Sequence, residues 1–195
     1  MTTVNLKRDK ADARFPRMIK LHLGCGKRFI PGYKHVDLAK FDHIDIFTSA
    51  DNLGMIDSGS VTEIYACHLL EYFDVSKAKE VLWEWNRVLV KGGILRLSVP
   101  DFDALIGIYS ETKNLRKVLG PMFGRMALND TTIYHQTIYN RSLLKEVLRE
   151  SNFHQINDWD TFKVFPDYDD FSKAFFPHKD PKGIQVSLNI IAEKG

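Results

Sequence analysis

"IKLHLGCGKRFIPGYKHVDL", residues 19–38, is the stretch that decides the fold. Residues 19–23 form an apolar-rich run typical of a strand, and this run is followed by Gly24 and Gly26. A second short apolar run closes with Asp37. Glycine has no Cβ, so two glycines at a strand end allow a ligand to lie against the main chain. The stretch therefore predicts a ligand site at the end of a strand, with a carboxylate nearby.

The glycine pair does not complete a dinucleotide-binding fingerprint. The third glycine of GxGxxG is absent, because position 29 is Phe29. About ten residues separate Gly24 from the next strand, which is the lower limit for a crossover that carries a helix. We therefore expect the helix that usually cradles a phosphate to be very short or missing. A ligand without a pyrophosphate suits this spacing better.

Short apolar runs alternate with helical periodicity along most of the chain, as expected of a parallel sheet covered by helices. One helix is predicted from a cap at Asp74 to a glycine stop in "KGG", residues 91–93, and another from a cap at Asn140 to about Asn152. The predicted strands are 19–23, 34–38, 43–47, 60–67, 93–100, and two more near 156–165 and 185–192.

Composition predicts a single domain without a membrane span. The chain has 195 residues, 44% of them hydrophobic, and no apolar run approaches the ~20 residues of a membrane-spanning helix. We expect a flexible arm over residues 1–17, which lack the apolar core of a secretory signal, and one domain over residues 18–195. Lys plus Arg number 27 and Asp plus Glu 25, a balance that does not support nucleic-acid binding. Cys25 and Cys67 lack metal-ligand spacing, so we predict a cytoplasmic protein with no metal site.

The segment 101–136 follows the strand that ends at Pro100. Its helical pattern is patchy and is interrupted by Gly120, Pro121 and Gly124. In an open α/β sheet, loops at the carboxyl ends of strands build the ligand site. We therefore predict that this segment is a lid or a wall of a substrate-binding site.

Several segments together resemble class I S-adenosylmethionine-dependent methyltransferases. The resemblance covers residues 18–195 and is carried by "LHLGCGKRFIPGYKHVDL", "SADNL", "DSGSVTEIYACHLLEYF", "VLVKGGILRLSVPDFD", "HQTIYNRSLLKEVLRESNF" and "VSLNIIAEKG". It is nearest to a compact bacterial group whose first motif reads LxLGCGxxxxPGxxxxD. The resemblance implies a Rossmann-like, seven-stranded, mostly parallel α/β sheet with strand order 3-2-1-4-5-7-6. It also implies S-adenosyl-L-methionine as cofactor and S-adenosyl-L-homocysteine as product.

The resemblance also assigns binding residues. Asp37 matches the acid that accepts hydrogen bonds from the ribose hydroxyls, and Leu38 matches the residue beside adenine. Tyr72 stands where the family commonly has a histidine. The further implied cofactor contacts are Gly24, Cys25 and Gly26 in the first loop, Asp51 or Asn52 at the adenine amino group, and Cys67 and His68 beside the sulfonium.

For the chemistry, the resemblance implies in-line transfer of the cofactor methyl group to a substrate oxygen, nitrogen or carbon. His135 and His68 are the candidate catalytic bases, because an imidazole titrates near neutral pH. For each of them the alternative is a hydrogen-bonded structural histidine. The segment after the fourth predicted strand contains no [DNS]PP[YFW] tetrad, which disfavours methylation of exocyclic amines of DNA bases.

The leading hypothesis is a methyltransferase acting on a small molecule or on a sugar or glycan precursor. The glycan assignment rests on analogy alone, since fold does not fix substrate. Two alternatives stay open at this point. One is a non-catalytic S-adenosylmethionine-binding module that recognises a partner, and the other, disfavoured by the broken fingerprint, is a nicotinamide-dependent enzyme. The acceptor atom and the oligomeric state are not encoded in any pattern of the sequence.

Overall fold

The computed structural model of the protein describes residues 18–128, 130–177, 180 and 182–195. The predicted arm, residues 1–17, lies outside the described residues. The strands are β1 (Ile19–Leu23), β2 (Lys34–Asp37), β3 (Ile46–Phe47), β4 (Val61–Cys67), β5 (Leu89–Pro100), β6 (Met126–Leu128), β7 (Thr131–Ile133), β8 (Phe153–Asp158), β9 (Phe175–Phe176), β10 (Ile184–Gln185) and β11 (Ser187–Lys194). The helices are α1 (Val75–Val88), α2 (Phe102–Thr112), α3 (Arg116–Phe123), α4 (Arg141–Glu150) and α5 (Thr161–Val164), with 3-10 turns at Leu70–Tyr72 and Phe171–Lys173.

A seven-stranded sheet organises the fold, with the spatial order β3-β2-β1-β4-β5-β11-β8. The pairs β3–β2, β2–β1, β1–β4 and β4–β5 are parallel, and β11 is antiparallel to both β5 and β8. Counted along the chain within this sheet alone, the strands follow the order 3-2-1-4-5-7-6. The predicted Rossmann-like, mostly parallel α/β sheet is therefore confirmed.

The connection between β1 and β2 contains no helix. Residues 24–33 form turns, as the short spacing predicts. The backbone N–H of Gly24 donates to the carbonyl of Val36 at 2.9 Å, and this bond extends the β1–β2 pairing by one residue. The pairing of β1 with β2 therefore holds the two glycines at the carboxyl ends of the strands.

Helix α1 begins where the sequence predicts. The Asp74 carboxylate accepts a hydrogen bond from the Lys77 backbone N–H at 2.9 Å, which satisfies a free donor of the first turn. The indole of Trp85, on the buried side of the helix, donates to the carbonyl of Ala50 at 2.8 Å. Asn140 caps α4 in the same way, through the backbone N–H of Leu143 at 3.0 Å.

The predicted glycine stop of α1 is wrong. The helix ends at Val88, and β5 begins at the next residue, so residues 91–93 lie within a strand. Gly92 has a φ of +72°, and the pairing of β4 with β5 shifts register between Val61 and Glu63. The glycines thus accommodate an irregularity of the sheet rather than a helix end.

The two faces of the sheet are covered differently. Ile64 and Ala66 of β4 belong to the main core, together with the buried side chains of α1 and α4. Tyr65 lies between them and points to the other face, because side chains alternate along a strand. That face is covered by aromatic side chains from the segment after β8, namely Trp159, Phe165 and Tyr168.

The segment 101–136 contains α2, α3 and the hairpin of β6 with β7. Asp101 caps α2 by accepting from the Asp103 backbone N–H at 3.1 Å. The hairpin projects over the carboxyl ends of the parallel strands, where Met126 and Ile133 border a cavity. The helices extend over more of this segment than its patchy sequence pattern indicates.

Candidate functional site

A cavity of about 700 Å³ opens at the carboxyl ends of the parallel strands. Gly24 follows β1, Asp37 ends β2 and His68 follows β4, and all three line the cavity. Met126 and His135 contribute to the wall formed by the hairpin and the residues after it. Ligands of open α/β sheets bind at this edge, and the volume lies within the ~300–1,000 Å³ of small-molecule sites.

The Asp37 carboxylate is fixed by two backbone donors. Its Oδ2 accepts from the Gly26 N–H at 2.7 Å, and its Oδ1 accepts from the Ala39 N–H at 2.7 Å. An ionised carboxylate offers about four acceptor sites, so about two are free for hydroxyl groups of a ligand. The glycine loop and the carboxylate, separate in sequence, therefore form one rigid unit at the cavity.

The backbone at both glycines has the left-handed conformation. Gly24 has a φ of +61° and Gly26 a φ of +55°, which side chains other than glycine rarely adopt. A Cβ at Gly24 would lie 2.7 Å from Cδ1 of Leu69, another cavity residue. A Cβ at Gly26 would have no heavy atom within 4 Å. At both positions the missing side chain leaves bare main chain on the cavity surface.

Of the residues predicted to contact adenine, Leu38 lines the cavity, whereas Asp51 and Asn52 do not. Leu38 lines the cavity and is 36% exposed, so it presents an apolar surface. The next strand is followed by residues 48–50, which also line the cavity. Asp51 borders this turn, where it accepts a hydrogen bond from Ser49 and lies 3.3 Å from the Lys77 ammonium. The exposed Asn52 and Asp51 itself lie outside the cavity lining.

The two cysteines lie behind the site. Cys25 is buried, and burial together with the nearby Asp37 raises the pKa of its thiol to about 12. Cys67 packs beside the aromatic cover of the second sheet face, and burial raises its thiol pKa well above the ordinary value. Both thiols therefore stay protonated and fill space near the loop, outside the cavity lining.

His68 lies directly beyond β4 with a φ of +51°, which turns its ring toward the cavity. Its Nε2 lies 2.9 Å from the Ser187 hydroxyl. Burial, with smaller contributions from His135 and Arg28, lowers the pKa of the imidazole to about 3. The ring is therefore neutral across the physiological range. It can accept a proton only from a substrate group that becomes, during the reaction, a stronger acid than the protonated His68 ring.

His135 lies opposite, in the segment after β7. Its Nδ1 is 3.2 Å from the Met122 carbonyl, and its ring packs edge-on against Tyr72 with centroids 4.8 Å apart. A Cβ at Gly124 would lie 1.8 Å from its Nε2, so the glycine is required for the ring to fit. Burial lowers the pKa of His135.

Sequence reasoning missed Glu71, whose side chain is fully buried between these two histidines. Its Oε1 lies 3.4 Å from Nδ1 of His68 and 3.8 Å from Nε2 of His135. Among the described residues, neither carboxyl oxygen has a partner with hydrogen-bond geometry. Burial raises the pKa of Glu71 to about 8. An acid inside the otherwise apolar run "LLEYF" is the sequence signal that could have identified it.

Of the other aromatic and apolar residues near the lid, Met126 and Tyr134 line the cavity. Tyr139 is buried below it and Phe123 is half exposed outside it. The structure thus brings together Gly24, Gly26, Asp37, Leu38, His68 and His135 from the predicted set.

Comparison with solved structures gives consistent neighbours. An S-adenosylmethionine-dependent methyltransferase from Thermotoga maritima, described as a possible histamine N-methyltransferase, aligns with a TM-score of 0.57 and 18% identity over 93% of this chain and 84% of its own. A methyltransferase of the same cofactor class from Methanosarcina mazei gives 0.56 and 15% identity over 92% and 93%. One from Clostridium acetobutylicum gives 0.54 and 13% identity over 92% and 85%.

No protein-family model matches the sequence, and no curated protein is significantly similar to it. At these identities the structural likeness establishes the fold alone. The chain therefore has the Rossmann-like fold of class I methyltransferases, with a cavity at the edge where that fold binds ligands. Within the part of the chain that the structure describes, no helix combines the length and apolar character needed to cross a membrane.

Proposed function

We propose that this protein is an S-adenosylmethionine-dependent methyltransferase that acts on a small molecule or on a sugar or glycan precursor. The observation that carries the proposal is the Gly26 N–H bound to the Asp37 carboxylate at the cavity wall. In this pair, main chain without a side chain lies next to a carboxylate that can accept hydrogen bonds from hydroxyl groups of a ligand. A nucleoside with a ribose diol and no phosphate is the ligand that such a pair fits.

The residues present fit S-adenosylmethionine. In the proposal, the free acceptor sites of Asp37 bind the ribose hydroxyls, and the bare main chain of Gly24 and Gly26 lies against the amino-acid and ribose parts. Leu38 packs against adenine, and the turn that borders Asp51 and Asn52 supplies the polar contact to its amino group. Cys25 and Cys67 support the loop from behind. The bound cofactor supplies an activated methyl group, and S-adenosylhomocysteine remains after transfer.

The methyl acceptor is proposed to lie between the predicted lid, the segment 101–136, and the side chains of His68 and His135. His68 and His135 line the same cavity and are the candidate bases. A cavity of about 700 Å³ favours a small methyl acceptor, and the Thermotoga maritima neighbour is described as a possible histamine N-methyltransferase. The net charge of +2 does not support a nucleic-acid substrate. We predict a cytoplasmic location.

Calorimetry with S-adenosylmethionine and with S-adenosylhomocysteine tests the proposal directly. We expect binding of both, and transfer of a labelled methyl group to a member of a panel of amines, phenols and sugars. Failure of the intact protein to bind either compound would refute the proposed function. Tight binding of both without turnover anywhere in the panel would favour the non-catalytic module.

Asp37→Ala should weaken S-adenosylmethionine binding by about 1 to 3 kcal/mol, because the hydrogen bonds of the charged group to the ribose are lost. The measurement is calorimetry at fixed pH and salt. Asp42→Ala is the matched control, since Asp42 is an exposed carboxylate of the neighbouring loop outside the cavity lining. Unchanged affinity in Asp37→Ala would show that the ribose is held elsewhere.

His135→Ala should leave S-adenosylmethionine affinity within about threefold and lower turnover at least about tenfold, because a base contributes to the chemical step and not to cofactor binding. His154→Ala serves as control, since His154 is exposed and distant from the lining. A fully active His135→Ala variant would remove this residue from the catalytic assignment.

A further inference from the structure

The hydrogen-bond partners of His68 fix its tautomer. The Ser187 hydroxyl donates its proton to the Phe171 carbonyl at 2.6 Å, so its oxygen is left to accept. Nε2 of His68, 2.9 Å away, must therefore carry the hydrogen and donate it to Ser187. In a neutral imidazole one nitrogen is protonated and the other is not, so Nδ1 of His68 presents a lone pair.

The same reasoning applies to His135. Its Nδ1 lies 3.2 Å from the carbonyl of Met122, and a carbonyl can only accept. Nδ1 therefore carries the hydrogen, and Nε2 presents the lone pair. Gly124 and Tyr72 pack around the ring, so a rotation that exchanges the two nitrogens is blocked by van der Waals contact.

The two unprotonated nitrogens lie near one oxygen atom. Oε1 of Glu71 lies 3.4 Å from Nδ1 of His68 and 3.8 Å from Nε2 of His135. An ionised carboxylate would bring its oxygen close to two further acceptors in a fully buried position, which is unfavourable. A proton on the carboxyl group removes this conflict. Neither nitrogen has hydrogen-bond geometry toward the carboxyl oxygens, so the resting proton stays on Glu71.

The other groups around Glu71 do not supply a compensating charge. The phenols of Tyr72 and Tyr139 and the thiol of Cys67 interact with it, and burial keeps all three protonated by raising their pKa values. Arg28 acts on His68 and disfavours a charge on that ring. Among the described residues, the ion-pair partners of Glu71 are His68 and His135 alone.

We propose that Glu71 is a positioning residue that holds one proton beside His68 and His135, and that the methyl acceptor is a hydroxyl or amine whose released proton enters this cluster at His135. The part about the methyl acceptor rests on the proposed function, while the protonated Glu71 concerns the free protein. Among acceptors that reach the cavity, those with an O–H or N–H bond are the class that needs such a cluster.

The proton movements balance within these residues. When an acceptor becomes methylated, its O–H or N–H bond breaks, and an N–H bond forms at the lone pair of His135 Nε2. Glu71 keeps its own proton, because the buried His68 imidazole, with a pKa of about 3, is a far weaker base than the Glu71 carboxylate. The Glu71 carboxyl then lies 3.8 Å from the imidazolium of His135, where its dipole lowers the cost of placing that charge in a buried site.

The first test is nitrogen and carbon NMR of the free, uniformly labelled protein between pH 5 and about 9. We expect Nε2–H on His68, Nδ1–H on His135, and imidazole shifts of both rings that change together with the Glu71 carboxyl signal. Glu71→Gln should remove that common transition, whereas Glu80→Gln, at an exposed acid of α1, should keep it. A Glu71 carboxyl that is ionised throughout this range, or imidazole shifts unchanged by Glu71→Gln, would overturn the proposal.

A second variant keeps the test decisive if Glu71→Gln does not fold. Ser187→Ala removes the acceptor of the His68 Nε2–H, so we expect a changed tautomer signal for His68 with that of His135 retained. An unchanged His68 signal would overturn the assignment. These spectra need no cofactor, so they distinguish failure of this inference from failure of S-adenosylmethionine binding.

The acceptor class is tested with the methyl-transfer panel. Turnover of hydroxyl or amine acceptors, with kcat lowered about tenfold or more in Glu71→Gln at unchanged KM, is the expected result. Turnover of a thioether or tertiary amine that Glu71→Gln leaves intact would contradict it, because those acceptors release no proton.

Discussion

Gly24→Val should lower S-adenosylmethionine affinity by more than about 100-fold, which corresponds to about 3 kcal/mol. A β-branched side chain at a φ of +61° is strained, and its Cβ would lie 2.7 Å from Cδ1 of Leu69 at the cavity wall. Leu69 must move from its place in the cavity wall to relieve this contact, and the strained φ at position 24 disturbs the loop whose Gly26 N–H binds the Asp37 carboxylate. The added methyl groups also occupy space against which the cofactor is proposed to lie.

Gly59→Val separates backbone strain from the effect on the site. Gly59 has a φ of +67°, a Cβ there would meet no heavy atom within 4 Å, and the residue is outside the cavity lining. Both variants carry the cost of the left-handed conformation, so Gly59→Val controls for that strain, and we expect normal cofactor affinity in Gly59→Val alone. Calorimetry on both variants is the measurement. A folded Gly24→Val protein that binds S-adenosylmethionine within about fivefold of the original would contradict the cofactor assignment.

The strand order was implied by the family resemblance, whereas individual elements were predicted from local signals. The strand predicted at residues 60–67 and the carboxylate cap at Asp74 are local features, and each is confirmed by the structure. The missing crossover helix between β1 and β2 followed from the length of the connection. These features depend on residues close in sequence, where propensity and spacing carry most of the information.

The glycine stop of α1 failed for a reason of tertiary structure. Glycines after a helical pattern commonly end a helix, yet here pairing with β4 draws residues from Leu89 onward into the sheet. Gly92 then absorbs the register shift of β5. A propensity rule cannot anticipate this, because the competing hydrogen bonds come from another strand.

The site residues show the same difference between local and long-range information. Gly26 and Asp37 belong to one motif, and the structure joins them by a direct hydrogen bond. Glu71 escaped notice because its environment is assembled from distant segments, with its backbone carbonyl accepting from Gln136 and its side chain enclosed by His68 and His135. The local sequence shows only an acid inside the apolar run "LLEYF", which indicates a buried carboxyl but does not identify the two histidines around it.

The contribution of Glu71 to the stability of the protein should fall as the pH rises from about 4.5 to about 8, by about 5 kcal/mol in total. Burial raises the folded-state pKa of this carboxyl from 4.5 to about 8, so the folded state binds more protons than the unfolded state in that window. Stability therefore decreases with pH until the folded carboxyl itself ionises. His22 and His68 act in the opposite direction, since burial lowers the pKa of each to about 3 and their contribution is lost as the pH falls from 6.5 to 3.

Comparison with Glu71→Gln isolates the carboxyl between pH 6.5 and 8, because the contributions of the buried histidines are common to both proteins. About 2 kcal/mol of the Glu71 loss falls in this interval, and it should lower the melting temperature of the original protein by several degrees relative to Glu71→Gln, at about 2 to 4 °C per kcal/mol for a chain of this size. Thermal unfolding followed by circular dichroism at fixed ionic strength measures it. Glu71→Gln should be more stable than the original protein at pH 8, whereas Glu80→Gln, at an exposed acid, should keep the pH dependence of the original protein. Equal slopes in the original protein and Glu71→Gln would mean that the buried carboxyl is not protonated at neutral pH, and the proton assigned to Glu71 would have to be abandoned with it.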